Sequence, residues 1–387
     1  MEKNDPKYYN SYLEIHLNRI KENINKIRKY TGGLEVLPAV KSNAYGLGTV
    51  EIAKYLVQEC GIRFLAVARI FEACQILDSG CNQAGIMILG PVPAYSVPIA
   101  VARDIQIPVF HEEGVKILSE EARRQGKEKV KAQLKIETGM NRIGVKPGDG
   151  LKSLLYGIQK AGNIEIDGVY THFATADIAE HGKGNDFTRE QFRLFKLALE
   201  QLHQAGISPR MVHCCNTGAT TWLKEAYPVS THVRIGSLYQ GYSSIQDDWN
   251  PIGVQECASW RTVIVNLKKV HLGESVGYGR NFMPVRDTEV ATIGIGYGDG
   301  YLRSFAMAGA PVLINGKRCR FVGICMDQAF IDVTGIPCKI GDTVTLFGED
   351  GLGNRISGLE IGHLMGETRL AMFTHITERV ARIYLKS

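Results

Sequence analysis

The sequence predicts an α/β protein, a (β/α)8 TIM-type barrel followed by a C-terminal, mainly-β domain. Eight short apolar runs alternate with amphipathic stretches over roughly the first 240 residues, the rhythm of a parallel barrel covered on both faces. Polar and titratable residues gather where those runs end. From about residue 249 the texture changes to strand-like runs with glycine turns and little helix. At 387 residues and 44% hydrophobic content, the chain suits a barrel plus a smaller domain. The expected division is 1–248 and 249–387, with the first residues free to pair with the β domain.

The candidate barrel strands are EVLPAVK, FLAVAR, GIMILG, IQIPVF, AQLKIET, IDGVYTHF, MVHCCNT and HVRIGSLY. Between them lie stretches such as IFEACQILDSG, EGVKILSEEARRQG and DFTREQFRLFKLALEQLHQAG, each ending in glycine, a common helix stop. A doubly wound open sheet would want Gly-x-Gly-x-x-Gly after its first strand, and KSNAYGLG does not supply it. Farther on, WRTVIVNLKKV, ATIGIGYGDG, PVLINGKRCRFVGICMD and DTVTLFGED read as strands. Asn315-Gly316 is a hairpin signal, and one short helix is expected near GLEIGHLMGE.

Composition narrows the function classes. The net charge of +5 is small for this length, and basic residues interleave with acidic ones as in SEEARRQGKEK, which reads as solvated surface and not a nucleic-acid face. Nine cysteines without a regular framework read as reduced thiols, so neither disulfides nor a metal site is expected. The first residues lack an apolar targeting core, and no run is long enough to span a bilayer, so a cytoplasmic protein is expected.

The strand ends carry the chemistry. The first ends at Lys41, the second at Arg69; the fifth leads to Arg142, the sixth ends at His172, the seventh at Cys215-Asn216-Thr217 and the eighth at Gly236-Ser237. In a barrel these ends share one rim, where active sites sit. A partly desolvated lysine there becomes a usable amine, able to condense with a carbonyl substrate or with pyridoxal phosphate. The alternative is a lysine snorkelling at the rim. Barrels often hold phosphate beyond strands seven and eight, here CNTGATT and RIGSLY. Against that stands ordinary helix capping by Thr217. Arg234 stays cationic; facing a pyridine nitrogen it would disfavour protonation there, while its plain alternative is a rim salt bridge.

Taken together, AVKSNAYGLG, ETGMNRIG, GVYTHFATAD, VRIGS, VGYGRNF, GIGYGDG and GICMDQ resemble, in order, the successive motifs of the bacterial alanine racemase family. The resemblance implies a pyridoxal 5'-phosphate barrel, a β domain, and a head-to-tail homodimer whose partner completes each site. It implies that Lys41 holds the cofactor and acts as one base, with Tyr278 from the partner as the other. Tyr45, Thr217, Gly236 and Ser237 would hold phosphate. Arg234 would face the pyridine nitrogen, and His172 would bridge Arg234 to the tyrosine. Arg142 would steer the substrate carboxylate; Met326 would help bind it through its backbone N–H and Tyr297 would shape the entrance, both from the partner. Lys135, seven residues before Arg142, would be carbamylated, its anion orienting the arginine.

The chain departs from the family at Leu370 or Ala371, where a tyrosine is usual, and reads ITERVAR where a proline is usual. It also differs around GSLYQG and VGICMDQ. Alanine is therefore the first expected substrate, with serine or a broader amino-acid range as the alternative, since a methylene is discriminated by only about 1–3 kcal/mol. A non-catalytic pyridoxal-phosphate carrier would not need Tyr278 or CMDQ. A basic amino-acid decarboxylase would want an acid, not Arg234, at the pyridine nitrogen.

Overall fold

The protein is described by a computed structural model covering residues 5–178, 183–245, 249–366 and 369–386. The side chains of Leu370 and Ala371 lie outside the described residues. The chain forms two compact units. One comprises Ile20–Ala44 and Thr49–Gln255; the other gathers Met1–Arg19, Tyr45–Gly48 and Glu256–Ser387, so the first strand, β1 (Ser11–His16), belongs with the C-terminal unit.

The first unit is the barrel. Its strands are β2 (Glu35–Pro38), β3 (Phe64–Val67), β4 (Gly85–Ile88), β5 (Ile107–Val109), β6 (Val130–Lys135), β7 (Ile164–Tyr170), β8 (Met211–His213) and β9 (His232–Ile235). Parallel ladders join β2 to β9, β3 to β4, and β5 through β8. Bridges Ala39–Ala66 and Met87–Gln106 join β2 to β3 and β4 to β5. Arg234 N donates to Cys215 O at 2.9 Å and closes β8 on β9. A closed ring leaves no unpaired edge. Each ladder stops before the expected strand ends, because the last residues of each run turn out of the sheet into the rim loops. Helices such as Thr49–Gln58, Glu112–Arg124 and Asp186–Gln204 return the chain, burying one face each.

The second unit is mainly antiparallel β. Its remaining strands are β10 (Ala258–Val270), β11 (Thr288–Ile293), β12 (Pro311–Ile314), β13 (Lys317–Ile324), β14 (Ala329–Asp332), β15 (Thr343–Glu349), β16 (Arg355–Ile356) and β17 (Ala381–Leu385). The order β10-β11-β14-β13-β12-β15 returns to β10, closing a second ring. β1 adds to β10 antiparallel and to β17 parallel. Asn315 and Gly316 take φ of 47° and 77°, the doubly positive turn that an Asn-Gly hairpin favours. Besides the expected helix, Gly358–Met365, there are helices at Arg303–Met307 and Arg369–His375, each too short for a period to show in sequence.

Rings fill this unit's core. Tyr301 stacks on Phe321 at 4.9 Å and lies 5.7 Å from Trp260, while Phe347 meets Phe373 edge-on at 4.6 Å. Among the described residues the buried Tyr301 hydroxyl has no hydrogen-bond partner, and burial raises its pKa. A buried hydroxyl that finds no partner keeps its desolvation cost while its ring supplies the packing. Tyr301→Phe should therefore leave the midpoint of urea unfolding unchanged or raise it by up to about 1 kcal/mol. A fall of that size would show that the hydroxyl is bonded.

Candidate active site

Lys41 begins a turn that few sequences tolerate. Ser42, Asn43, Ala44 and Tyr45 all take φ between 50° and 56°, a left-handed turn without a glycine. Left-handed geometry costs an L-residue about 1–2 kcal/mol, least for asparagine. The surroundings impose it. Ala44 N donates to Val40 O at 3.0 Å, and Gln240 Nε2 donates to Ala44 O at 3.2 Å. Asn43 Oδ1 accepts from Thr49 N at 3.0 Å, where the next helix starts. Glu72 binds both ends of the crossing: Oε1 accepts from Ser42 N at 2.7 Å, and Oε2 from Ala68 N and Arg69 N at 2.8 and 2.9 Å. Glu72 was missed in the sequence; its only signal is a glutamate three residues after Arg69 at a helix start. Burial pulls the Lys41 ammonium below its ordinary pKa, with Arg142 and Arg234 adding to the effect against Glu72.

Arg234 is the hub of the barrel interior. Nη1 donates to His213 O at 2.9 Å and to His213 Nδ1 at 3.0 Å; Nη2 donates to Thr171 O at 2.8 Å and to His172 Nδ1 at 3.0 Å. An imidazole nitrogen that accepts from a guanidinium is bare, so His172 carries its proton on Nε2. Burial, and then Arg234, push His172 well below its ordinary pKa, keeping it neutral. Tyr170, missed in the sequence, lies beneath Arg234 and Lys135, 5.4 and 5.2 Å from its ring centre. Lys135 is 3% exposed, and burial, with Arg234, lowers its pKa to about 7. Its Nζ donates to Ile136 O at 2.8 Å.

Arg142 rides on a loop pinned at its base, where Glu137 N donates to Val145 O at 2.9 Å and Val145 N to Lys135 O at 3.0 Å. A side chain at Gly144 would meet Glu137 N at 2.7 Å, so the loop closes only over glycine. Thr217 Oγ1 accepts from Gly236 N at 3.2 Å, bringing these two residues together, with Ser237 buried beside them. The helix Thr217–Trp222 is capped by Asn216, which accepts from Ala219 N at 3.0 Å; Thr217 is not the cap.

Tyr45 belongs to the β unit through the stretch Tyr45–Gly48, and Tyr278, Tyr297 and Met326 belong to it through Glu256–Ser387. Tyr297 and Met326 are neighbours: Gly298 N donates to Met326 O at 2.9 Å, and a side chain at Gly296 would lie 2.1 Å from that oxygen, which explains one glycine of GIGYGDG. Tyr278 lies on the turn closed by Val276 and Phe282, and is 82% exposed.

The barrel centre thus assembles Lys41, Lys135, Arg142 and Arg234. Of the neighbouring carboxylates, Glu72 is taken up by three backbone N–H groups and Glu137 accepts from Gly139 N. Arg142 and Arg234 keep this centre cationic even with Lys135 uncharged, which fits a ligand that brings its own negative charge. Pyridoxal phosphate with an amino-acid carboxylate meets that requirement, and Lys41, a lysine with a weakened ammonium, suits its aldehyde.

Barrel, lysine and cationic centre define the class, the pyridoxal-phosphate-dependent barrel enzymes. Residues 15–244 match the model of the alanine racemase N-terminal domain, and residues 257–384 that of the C-terminal domain. The chain belongs to the alanine racemase family, whose members are pyridoxal-phosphate-dependent isomerases. It is 37% identical to alanine racemase 2 of Caldanaerobacter subterraneus subsp. tengcongensis, covering 96% of this chain and 94% of that one. It is 33% identical to alanine racemase 1 of Bacillus subtilis, covering 99% and 95%. Among solved structures, alanine racemase from Bacillus anthracis with bound L-Ala-P superposes with a TM-score of 0.89 at 32% identity, covering 99% and 97%.

The turn after Lys41 yields two opposed stability changes. Ser42→Gly removes a side chain from a left-handed, exposed position and should stabilise by about 1 kcal/mol. Glu72→Gln weakens three charge-assisted hydrogen bonds and should cost about 1–3 kcal/mol. Urea unfolding of both variants beside the parent measures each; equal midpoints for all three would contradict this account of the turn.

Proposed function

We propose that the chain interconverts L- and D-alanine with pyridoxal phosphate, by two bases on opposite faces of the substrate. The carrying observation is the cationic barrel centre around Arg234, with its neutral histidine; the alanine racemases it resembles point to alanine. When bound, the cofactor supplies the electron withdrawal that makes the substrate's α-proton removable.

The side chains do the rest. Lys41 would hold the cofactor until the substrate's amine takes its place, and its freed Nζ, a weakened ammonium, would then take or return a proton on one face. Tyr278 of a second copy serves the other face; its exposure is what a residue destined for a partner's site requires. We infer a homodimer on that ground, working in the cytoplasm. His172, its Nδ1 occupied by Arg234, keeps Nε2–H to steady the tyrosine oxygen. Arg234 brings no transferable proton to the pyridine nitrogen. Tyr45, Thr217, Gly236 and Ser237 would hold the phosphate, and Arg142 would take the substrate carboxylate with help from Met326 of the second copy, whose Tyr297 would shape the entrance.

Lys135 belongs to this proposal as a carbamate. Only the neutral amine attacks carbon dioxide, its nitrogen bonding to the carbon while one N–H proton is released. With its pKa at about 7, Lys135 is mostly amine above that pH, whereas an ordinary lysine stays ammonium until near 10.

Chiral chromatography after incubation with L-alanine, and separately with L-serine, tests the reaction. D-alanine should form with the parent and not with Lys41→Ala, and Tyr278→Phe should slow it by about a hundredfold or more. Preference for serine would move the substrate assignment; no turnover of either would overturn it. Mixing the two inactive variants should restore activity, because one site of each mixed dimer then holds both bases; failure to complement would refute the shared site. For the carbamate, a carbon-13 signal from labelled bicarbonate should grow from pH 6 to 8 and vanish in Lys135→Ala.

A further inference from the structure

A line of hydrogen bonds runs through the barrel interior, away from the site just described. It begins at Arg210, whose Nε and Nη2 donate to Asp167 Oδ1 and Oδ2 at 3.0 and 2.6 Å. Asp167 Oδ2 accepts from Gln106 Nε2 at 2.7 Å. Gln106 Oε1 accepts from Gln133 Nε2. Gln133 Oε1 meets His213 Nε2 at 3.1 Å, and His213 Nδ1 meets Arg234 Nη1 at 3.0 Å. Gln106, Gln133, Asp167 and His213 are all buried. Arg210, at the outer end, lines an open pocket with Lys131, Gln159 and Ser208.

The line has a direction, and its ion sets it. A carboxylate only accepts. Burial alone would raise the Asp167 pKa, but Arg210 and Gln106 outweigh it and hold the group below its ordinary value, as an anion. Gln106 must therefore turn its NH2 toward Asp167 and its oxygen toward Gln133. Gln133 must in turn present its NH2 to Gln106 and its oxygen to His213. An amide oxygen cannot donate, so the proton of His213 lies on Nε2, and Nδ1 is left bare toward Arg234. With the chain reversed, His213 would carry Nδ1–H against an N–H of Arg234, two donors face to face.

The backbone is shaped for this line. The β6–β7 ladder slips between Ala132 and Gln133, which pair with Ile166 and Gly168, so Asp167 is the extra residue of a bulge. A side chain at Gly168 would lie 2.1 Å from Gln133 Oε1, so the amide fits only over glycine. Tyr170 stacks on His213 at 5.1 Å with the rings 3° from parallel, which fixes the ring plane; the amide acceptor at Nε2 and the Arg234 donor at Nδ1 then set the proton position together.

We propose that Asp167, acting through Gln106 and Gln133, is a positioning group for the reaction: it fixes the His213 tautomer and thereby the guanidinium of Arg234. Only the catalytic consequence rests on the function proposed above; the tautomer does not. The test uses the cofactor-loaded enzyme with nitrogen-15 in its histidine rings. Long-range proton–nitrogen correlation separates Nε2–H from Nδ1–H imidazoles, with the His213 signals assigned by their loss in His213→Gln.

The parent should show His213 as Nε2–H. Asp167→Asn, which can present a donor in place of the carboxylate, should give a mixture and lower kcat by about tenfold with KM less affected. The exchange Asp167→Asn with Gln106→Glu conserves net charge and moves the carboxylate one link inward; it should restore both tautomer and kcat. A purely structural Arg210–Asp167 pair predicts that the exchange is no better than the single change. If Asp167→Asn does not fold, Gln133→Met breaks the line without touching the ion pair and should release the tautomer. An Nε2–H signal unmoved in every folded variant would overturn the proposal, whatever the enzyme's activity toward alanine.

Discussion

The constraint on which the barrel depends is the burial of one guanidinium without a counter-ion. Arg234 is 4% exposed, and among the described residues no carboxylate pairs with it. Such a charge would cost several kcal/mol if left unsatisfied. Two backbone carbonyls and two imidazole nitrogens carry it instead. The charge then governs its neighbours. Burial is the larger cause, and the charge adds to it: together they hold His172 and His213 neutral, weaken the ammonium of Lys41, where Arg142 also contributes, and bring Lys135 within reach of neutral pH. A carboxylate partner would have cancelled that field. Lysine chemistry and an uncompensated arginine are therefore parts of one arrangement.

Much of the fold was legible because it is local. Each barrel strand is a short apolar run beside a helix-period stretch, and Lys41, His172 and Arg234 mark strand ends by polarity alone. The Asn315-Gly316 hairpin could be read from two residues. The groups that hold these side chains were not legible. Glu72 serves an amide thirty residues earlier, and Gln106, Gln133 and Asp167 meet across sequence separations that leave no periodic trace. The left-handed turn after Lys41 contradicts local preference, since Ser, Ala and Tyr do not ask for positive φ. Thr217 was a plausible cap by residue type, but its neighbour Asn216 took that position and left Thr217 facing Gly236.

Strain is concentrated next to the lysine, and the chain anchors it on both sides. Before the turn, Val40 N donates to Ala66 O at 2.9 Å within the barrel. Beyond it, within the β unit, Arg382 Nε donates to Gly46 O at 3.0 Å and Tyr384 Oη to Leu47 O at 2.7 Å. Side chains at Gly46 and Gly48 would collide with Phe373 O and the Tyr384 hydroxyl, so both glycines allow close approach. A conformation that local energetics disfavour persists because surrounding contacts over-determine it.

The pairing of β1 carries a consequence for synthesis. Tyr12 lies opposite Arg261 on one side and Ala381 on the other. The strand is made before either neighbour, and β17 follows only after nearly all of the intervening chain. For most of elongation it presents an open edge, the kind of surface that nascent chains lose to aggregation. The second unit therefore completes its sheet only once β17 has been made, and a chain cut before β17 loses the parallel partner of β1.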